Sequence, residues 1–575
     1  MVEEQTSEQE QMGRSDAEDA ALWGRFAGKP GEDARVTAMH RLKIAGPSPD
    51  GFGLYLRQII PPDILRGEML MRGVWRIGMD RMEISDGHAP WSQSMPSRHY
   101  ADRLHRFDWL SDLFAHEPAG ADRARHIVDD WIENFGRFDG FTWRIGCTAD
   151  RVWNWMRCGA DLFEHGDEAV CAARLETLGR QARHVMAMVD TLVEPRARWR
   201  ANIVSVAYAL SLGRGKGLDT TVLRLESECT AQFLPDGGHV SRSPARGLHC
   251  LADLLSLQDL FERSDRESPE FIQRWIQRIG GMVSFFRMGD GALTPFHDGD
   301  ECLPATVEAV LAHLKTPTRE FSVAPKSGFQ KLRKSDTTVL MDAGHSPERP
   351  FGDLAHAGTL GFELQDGAAR LVTSCGCSPE IDITFRAAVR RTSAHSTLIL
   401  EDEDSCRFLT NDETQLIFPV GPDGISAKRL EEADEIWLDA QHSGYKQKFG
   451  LLHRRRLFLS GDGSRLTGED SLARPVSAGA AAENLHYAFA LRFHLHPTIT
   501  AMTSGDSIIL SSDIGAKWRF KSSHANARLE ETIYLGRGIV ERSEQIVLSG
   551  KVRADSDGLQ PPNCIRWAFL RIKSS

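Results

Sequence analysis

The chain has 575 residues, too many for one ordinary hydrophobic core, so two or more domains are expected. Apolar residues make up 41% and charged residues 26%, the balance of a soluble globular protein. The formal net charge of -11 argues against a nucleic-acid partner, which needs a basic field, but leaves room for a local basic cleft.

Residues 1–45 open the chain as an acidic, polar stretch. It lacks the basic start and apolar centre of a secretory signal, and a disordered tail is expected there. No apolar run approaches the roughly 20 residues that span a bilayer, so no transmembrane segment is expected and the cytoplasm is the default location. Over 46–315 the apolar residues recur at helical spacing, as in Leu104, Phe107, Leu110 and Phe114, or Ile127, Trp131 and Phe135. Such a run of helices forms a bundle, a solenoid or a closed toroid. Nine of the 13 tryptophans fall in this half, and at helical spacing most read as core.

The stretch 316–328 reads as a linker. From 329 to 575 the pattern changes to short alternating runs, with Asp366-Gly367 and Asp462-Gly463 as hairpin turns, which predicts an antiparallel β-sandwich. The ten cysteines have no tandem CxxC spacing and no disulfide framework is expected.

The densest candidate site is "LPDGGHVSRSPARGLH". Asp236-Gly237-Gly238 predicts a turn, and Ser243-Pro244 a helix start. Within that helix Arg246, His249 and Asp253 share a face, so Asp253 could hold the His249 imidazole in one tautomer. His239 and Arg242 precede the helix, where its dipole favours anions. A solvated helix face with one weak ion pair is the plainer reading. Trp199 lies among Arg196, Arg198 and Arg200, which suggests stacking on a sugar ring. Among the arginines of 454–456, Arg454 and Arg456 point to one strand face and Arg455 to the other, where a solvated role is at least as good. His356 and His395, each at a strand start, could ligate zinc, with Cys375 or Cys377 adding a thiolate; no cofactor is required by the sequence. The run His297–Glu301 has ligand types without calcium-loop spacing, and a solvated loop is expected there.

The order of "LHRFDWLSDL", "TADRVWNWM", "FLPDGGHVSRSP", "LAHAGTLGFEL", "RRTSAHSTLIL" and "LRFHLHP" resembles the heparinase II/III family of polysaccharide lyases. The resemblance implies an incomplete (α/α) toroid of helices followed by a C-terminal antiparallel β-sandwich. It also implies β-elimination of acidic polysaccharides or oligosaccharides containing uronic acid, such as heparin, heparan sulfate and alginate, and in some members a sandwich-domain zinc. That chemistry neutralises the uronate carboxylate, removes the C5 proton and protonates the leaving oxygen. The family's tyrosine position carries Arg246. Its Asn-His pair falls near Ala197-Arg198, and its later helix asparagine is Asn202. Its His-Gly-His-Ala-Asp becomes Leu354-Ala355-His356-Ala357-Gly358, which loses the catalytic histidine and keeps the metal-type one as His356. The metal-type aspartate is replaced around Thr373, and His395 matches the second metal histidine. The base must then be His239, His249 or Tyr208, with Arg242, Arg246 or Arg198 neutralising the carboxylate and Trp199 and Asn202 binding sugar. Two readings follow: a lyase-like enzyme, or a non-catalytic glycan-binding or envelope-associated protein on the same scaffold. The family often works outside the cytoplasm, which makes the periplasm the alternative location.

Overall fold

The computed structural model describes residues 38–85, 88–213, 217–353, 355–378, 381, 383–410, 417–475, 486–524, 527–554, 558–559 and 562–572. Of the tail expected over 1–45, residues 1–37 lie outside these, as does Leu354; Ala38–Ile44 forms helix α1. Two compact units result. One comprises the chain to Ala231 with Ala252–Arg274, the other Gln232–Leu251 with Trp275–Ser575.

The first unit is helical. After α1 come α2 (Ile64–Met71), the hairpin β1 (Val74–Ile77) and β2 (Asp80–Glu83), α3 (Arg98–Leu104), α4 (Leu110–Phe114) and α5 (Ala119–Phe135). Then follow α6 (Ile145–Phe163), α7 (Glu168–Met188), α8 (Pro195–Ser211) and α9 (Leu218–Gln232); the residues of α10 (Pro244–Arg263) and α11 (Glu270–Phe286) are divided between the two units, and α12 (Pro304–Ala312) belongs to the second. Local chemistry sets the starts. Asp63 accepts from the Arg66 amide at 3.0 Å, Ser97 from Tyr100 at 3.0 Å, and Glu194 from Arg196 and Ala197 ahead of a first-turn Pro195.

The stripe from Leu104 to Phe114 is not one helix. Phe107 takes a left-handed φ of 60° between α3 and α4, which drives its ring edge-on to Trp131 and Trp155 and stacks it on Trp109. The tryptophans of the helical half are core material: Trp75, Trp131, Trp143 and Trp155 are all fully buried.

Two large antiparallel sheets dominate the second unit. The nine-stranded sheet uses β3 (Val323–Ala324), β4 (Phe329–Lys334), β5 (Thr337–Asp342), β6 (Phe362–Asp366), β7 (Ala369–Thr373) and β8 (Leu398–Leu400). A separate pair, β9 (Arg407–Thr410) and β10 (Ile417–Val420), forms a two-stranded ribbon. The eight-stranded sheet takes β11 (Ser426–Glu432), β12 (Glu435–His442), β13 (Leu452–Leu459) and β14 (Arg465–Ala473). The chain returns to the first sheet as β15 (His486–Leu495), then gives β16 (Ile499–Ser504), β17 (Ser507–Ser512) and β18 (Lys517–Ser522) to the second. β19 (Arg528–Tyr534) and β20 (Glu541–Arg553) extend the first sheet, and β21 (Cys564–Arg571) enters the second between β14 and β18. One core joins the inner faces, with Val339, Phe362, Leu491 and Leu548 from one sheet and Leu438, Leu457, Trp518 and Phe569 from the other.

That core carries one polar network. Arg455 is fully buried, donates to Asp470 through Nε at 2.8 Å, and reaches the carbonyls of Leu360 and Ser396. Asp470 also accepts from His453 and Trp567, each at 2.8 Å. The expected alternation of Arg454, Arg455 and Arg456 is present, but the middle arginine is a core group rather than a solvated charge.

Candidate functional site

The chosen residues fall into two groups, one in each unit. In the first unit, α8 carries Arg198, Trp199, Asn202 and Tyr208. Arg198 Nε donates to both Glu228 carboxylate oxygens at 2.8–2.9 Å. The Trp199 indole donates to Asp253 Oδ2 at 2.9 Å, and Arg200 takes Asp253 Oδ1 at 2.7 Å and Asp150 Oδ1 at 3.0 Å. Burial alone would raise the Asp150 carboxyl, but Arg196, Arg106 and Arg200 together hold it well below the ordinary range. Asn202 Nδ2 donates to the Arg198 carbonyl at 3.0 Å. Tyr208 is buried edge-on to Phe52, and a Cβ at Gly179 would come within 3.1 Å of its hydroxyl. The basic patch is therefore a cross-braced ion network. Trp199 is a buried brace rather than an open stacking face, and the Tyr208 ring sits in the packing between helices.

The second unit holds the turn. Asp236 pins it: its carboxylate accepts from the amides of Lys326 and Ser327, both at 2.8 Å, and from the Ser327 hydroxyl at 2.7 Å. Gly237 has a φ of 91°, and a Cβ there would meet the Arg278 carbonyl oxygen at 2.1 Å, so only glycine fits. His239 is buried. Its Nδ1 accepts from the Ser241 amide at 3.1 Å, which places the proton on Nε2 and directs it to Gln232 Oε1 at 2.9 Å. Burial, and then the charge of Arg246, push this imidazole well below its ordinary pKa.

Arg242 enters the core with a φ of 63°. It forks onto Asp342, with Nη1 at 3.3 Å from Oδ2 and Nη2 on Oδ1, donates through Nε to Ser327 O at 2.9 Å, and lies 4.5 Å from the Phe329 ring centre. Asp342 Oδ2 also accepts from His297 Nε2 at 2.9 Å, while His297 Nδ1 accepts from the His356 amide at 3.3 Å. Burial would raise Asp342, yet Arg242 and His297 depress it strongly. The run His297–Glu301 is thus no solvated loop. His297 and Asp298 both take left-handed φ values, 48° and 58°, and His297 is buried. Glu301 is buried too, bonded to His496 at 3.0 Å and to the Tyr534 hydroxyl, and is held at a pKa of about 2 despite its burial. Strained backbone at Arg242, His297 and Asp298 marks this as the tightly determined part of the unit.

Beside Arg242 there is little room. A cavity of about 10 Å³ is lined by Gly237, Gly238, His239, Arg242, Ser327 and Phe329 among others. That holds at most one water. Arg246 and His249, three residues apart on α10, are the more open members: Arg246 is half-buried and His249 exposed.

His356 and His395 have rings 5.3 Å apart and are both buried. Asp298, His356 and Cys377 can bring ligand-type atoms within 4.8 Å of one another, and His395 is not in that group. As arranged, the donors answer each other. His356 Nε2 accepts from the Asp298 amide at 3.1 Å, and Asp298 Oδ1 takes Arg386 at 2.9 Å and the Cys377 thiol at 3.1 Å. Burial and then Asp298 push the Cys377 thiol up, so it stays protonated. A metal ion here would have to displace both Arg386 and the Cys377 thiol proton from Asp298. Among the described residues, His356 Nδ1 and His395 Nε2 have no hydrogen-bond partner.

Sequence reasoning missed His297, Asp342, Glu301, His496 and Tyr534. "HDGDE" was the visible signal for His297 and Glu301; Asp342 and Tyr534 end ordinary strands, and His496 follows one.

Residues 316–568 match the C-terminal part of the heparinase II/III-like family. The FtsZ-localized protein C of Caulobacter vibrioides is 34% identical over 543 residues, covering 93% of this chain and 92% of that protein. Among solved structures, heparinase III aligns with a TM-score of 0.66 at 15% identity, over 93% of this chain and 89% of its own. The heparan sulfate lyase HepC of Pedobacter heparinus aligns with a TM-score of 0.56 at 14% identity, over 93% and 87%. These structures share the fold, a toroid of helices followed by an antiparallel β-sandwich. Among the described residues no helix is long and apolar enough to cross a membrane. With a relative of this identity over nearly its whole length, and the family's C-terminal region in place, the chain belongs to the heparinase II/III-like family.

Proposed function

We propose that this protein is a non-cleaving member of its family that localises with FtsZ, as its Caulobacter relative does by name, and that it uses the lyase scaffold for binding. The observation that carries the first half is the commitment of Arg242. A guanidinium that neutralises a uronate must be free to meet it, and this one is buried against Asp342 beside a space of about 10 Å³. His239 likewise has both ring nitrogens engaged. The relative's name supports the second half, localisation with FtsZ.

Two measurements test it. Purified protein incubated with heparan sulfate, heparin and alginate is expected to give no rise in ultraviolet absorbance from unsaturated uronate. A fluorescent fusion is expected to follow labelled FtsZ in the cell; a fusion spread evenly while FtsZ is assembled would remove the localisation half.

A second reading, a uronate lyase, is favoured by the openness of His249 and Arg246. In it His249 is the base and Arg246 the carboxylate clamp. It predicts cleavage of at least one uronate glycan that is abolished in His249→Ala and retained in His239→Gln.

A further inference from the structure

We infer that the outer face of the eight-stranded sheet is a docking groove for an acidic protein segment with an aromatic or aliphatic anchor. The groove encloses about 420 Å³ and lies wholly within the second unit. Its floor follows from strand register. Reading across β11, β12, β13, β14, β21 and β18, the paired residues are Leu430, Trp437, Phe458, Thr467, Ala568 and Lys521. One end of this row is bulky and apolar, the middle is small, and the far end is cationic. A trough across the strands is the necessary result.

The apolar end is exposed. Leu430 is 51% accessible and Trp437 48%, where most of the tryptophans are core. The Trp437 ring leans on Phe458 with centroids 4.4 Å apart, which holds its indole in place without covering it. Such a fixed, half-open tryptophan is the usual energetic centre of a protein interface.

The polar lining selects the charge of the occupant. The next row across the sheet is Arg456, Glu469 and Arg566. Glu469 is shared: Oε1 takes Arg456, and Oε2 takes Arg566 Nε at 2.9 Å. Lys521 meets the exposed Asp506 at 3.2 Å, a pair that a ligand carboxylate can replace at little cost. Three cations, Arg456, Lys521 and Arg566, line the groove against one carboxylate, Glu469, which favours an anionic partner.

The same lining argues for peptide over sugar. A sugar hydroxyl is best held by a donor and an acceptor together, and the carboxylate lining the groove already serves two guanidiniums. The Ser522 hydroxyl accepts from the His524 amide at 2.9 Å, and that of Ser523 from the Arg566 amide at 3.1 Å. Donors beside an apolar shelf suit Asp or Glu next to Trp, Phe or Leu. This inference does not rest on the FtsZ reading or on the absence of cleavage.

The test pans a phage-displayed library of random peptides on the full chain, then measures the most enriched peptide by fluorescence anisotropy. Enriched sequences are expected to set Asp or Glu beside an aromatic or aliphatic residue. Trp437→Ala is expected to weaken binding at least about tenfold. Lys521→Glu is expected to weaken it as well, and added salt to weaken it further. All these side chains are partly or largely exposed, and an unchanged unfolding midpoint confirms that each variant is folded. Peptides without acidic character, or ones that bind both variants as well as the parent, overturn the inference. So does a heparan sulfate or alginate oligosaccharide that binds more tightly than the peptide and is lost in Trp437→Ala.

Discussion

Arg242 and Asp342 are each almost completely buried, and each is satisfied by the other. Removing one partner leaves a charge with no water to solvate it. Asp342→Asn is expected to lower stability by about 3–5 kcal/mol in chemical denaturation. The double variant Arg242→Met with Asp342→Leu removes both charges and is expected to recover part of that loss; equal losses in the two variants would mean that the cost lies in losing the pair and not in stranding the Arg242 charge. At the neighbouring histidines the question is metal. A resident ion at 100 times its dissociation constant would add about 2.7 kcal/mol. Since Asp298 is occupied by Arg386, the expected result is an unmoved midpoint when zinc is added to EDTA-treated protein. A clear rise that disappears in His356→Ala would instead establish a centre there.

At the level of elements, β14 and β21 show how tightly the sandwich is specified. Gly468 is paired with Trp567, and a Cβ on Gly468 would fall 2.0 Å from the indole. The indole cannot give way, because it stacks on Phe362 and donates to Asp470 at 2.8 Å. Gly468→Ala is expected to destabilise the second unit by about 1–3 kcal/mol, with the helical unit unchanged, as followed by hydrogen exchange. This part of the fold was hidden in the sequence. Alternation exposed the strands beyond residue 328, and helical periodicity the helices between 46 and 315, because each leaves a local pattern. Phe107 did not declare the break between α3 and α4, since an aromatic at left-handed φ is held by its neighbours and not by its own preference. The site divided in the same way. The turn at 236–238 was legible because glycines carry it. The partner of Arg242 was not, because Asp342 lies 100 residues away in an unremarkable strand. Short-range reading gave His249 an Asp253 partner; the tertiary structure engages that carboxylate with Trp199 and Arg200.

Across the whole molecule the titrating groups pull in opposite directions. Buried imidazoles are held neutral in both units: His105 is lowered to about 3 and His184 to about 4 in the first, His395 to about 3 and His494 to about 4 in the second, burial being the leading cause in each. Each has a folded pKa below its unfolded value of 6.5. Its contribution is complete above pH 6.5 and is lost as pH falls toward the folded value, by about 1.4 kcal/mol per pH unit. The carboxylates of Glu301 and Asp470, both held at about 2, add a second acid-side loss as pH falls below their unfolded values. Glu363 has the reverse sign. Burial raises it from 4.5 to about 7, so its contribution is complete below pH 4.5 and is lost as pH rises through 7. Denaturation midpoints are therefore expected to climb steeply between pH 4 and 6.5 and to flatten above. Two units make a single two-state transition unsafe to assume, so each should be followed by its own probe, and both should shift. Glu363→Gln keeps the shape of the protonated acid without its titration. It should match the parent near pH 4.5 and exceed it at pH 8 by about 3 kcal/mol, the equivalent of the raised pKa. A midpoint that is flat from pH 4 to 6.5 would mean that the buried histidines are charged in the fold, and a Glu363→Gln variant no more stable than the parent at pH 8 would mean that Glu363 reaches water.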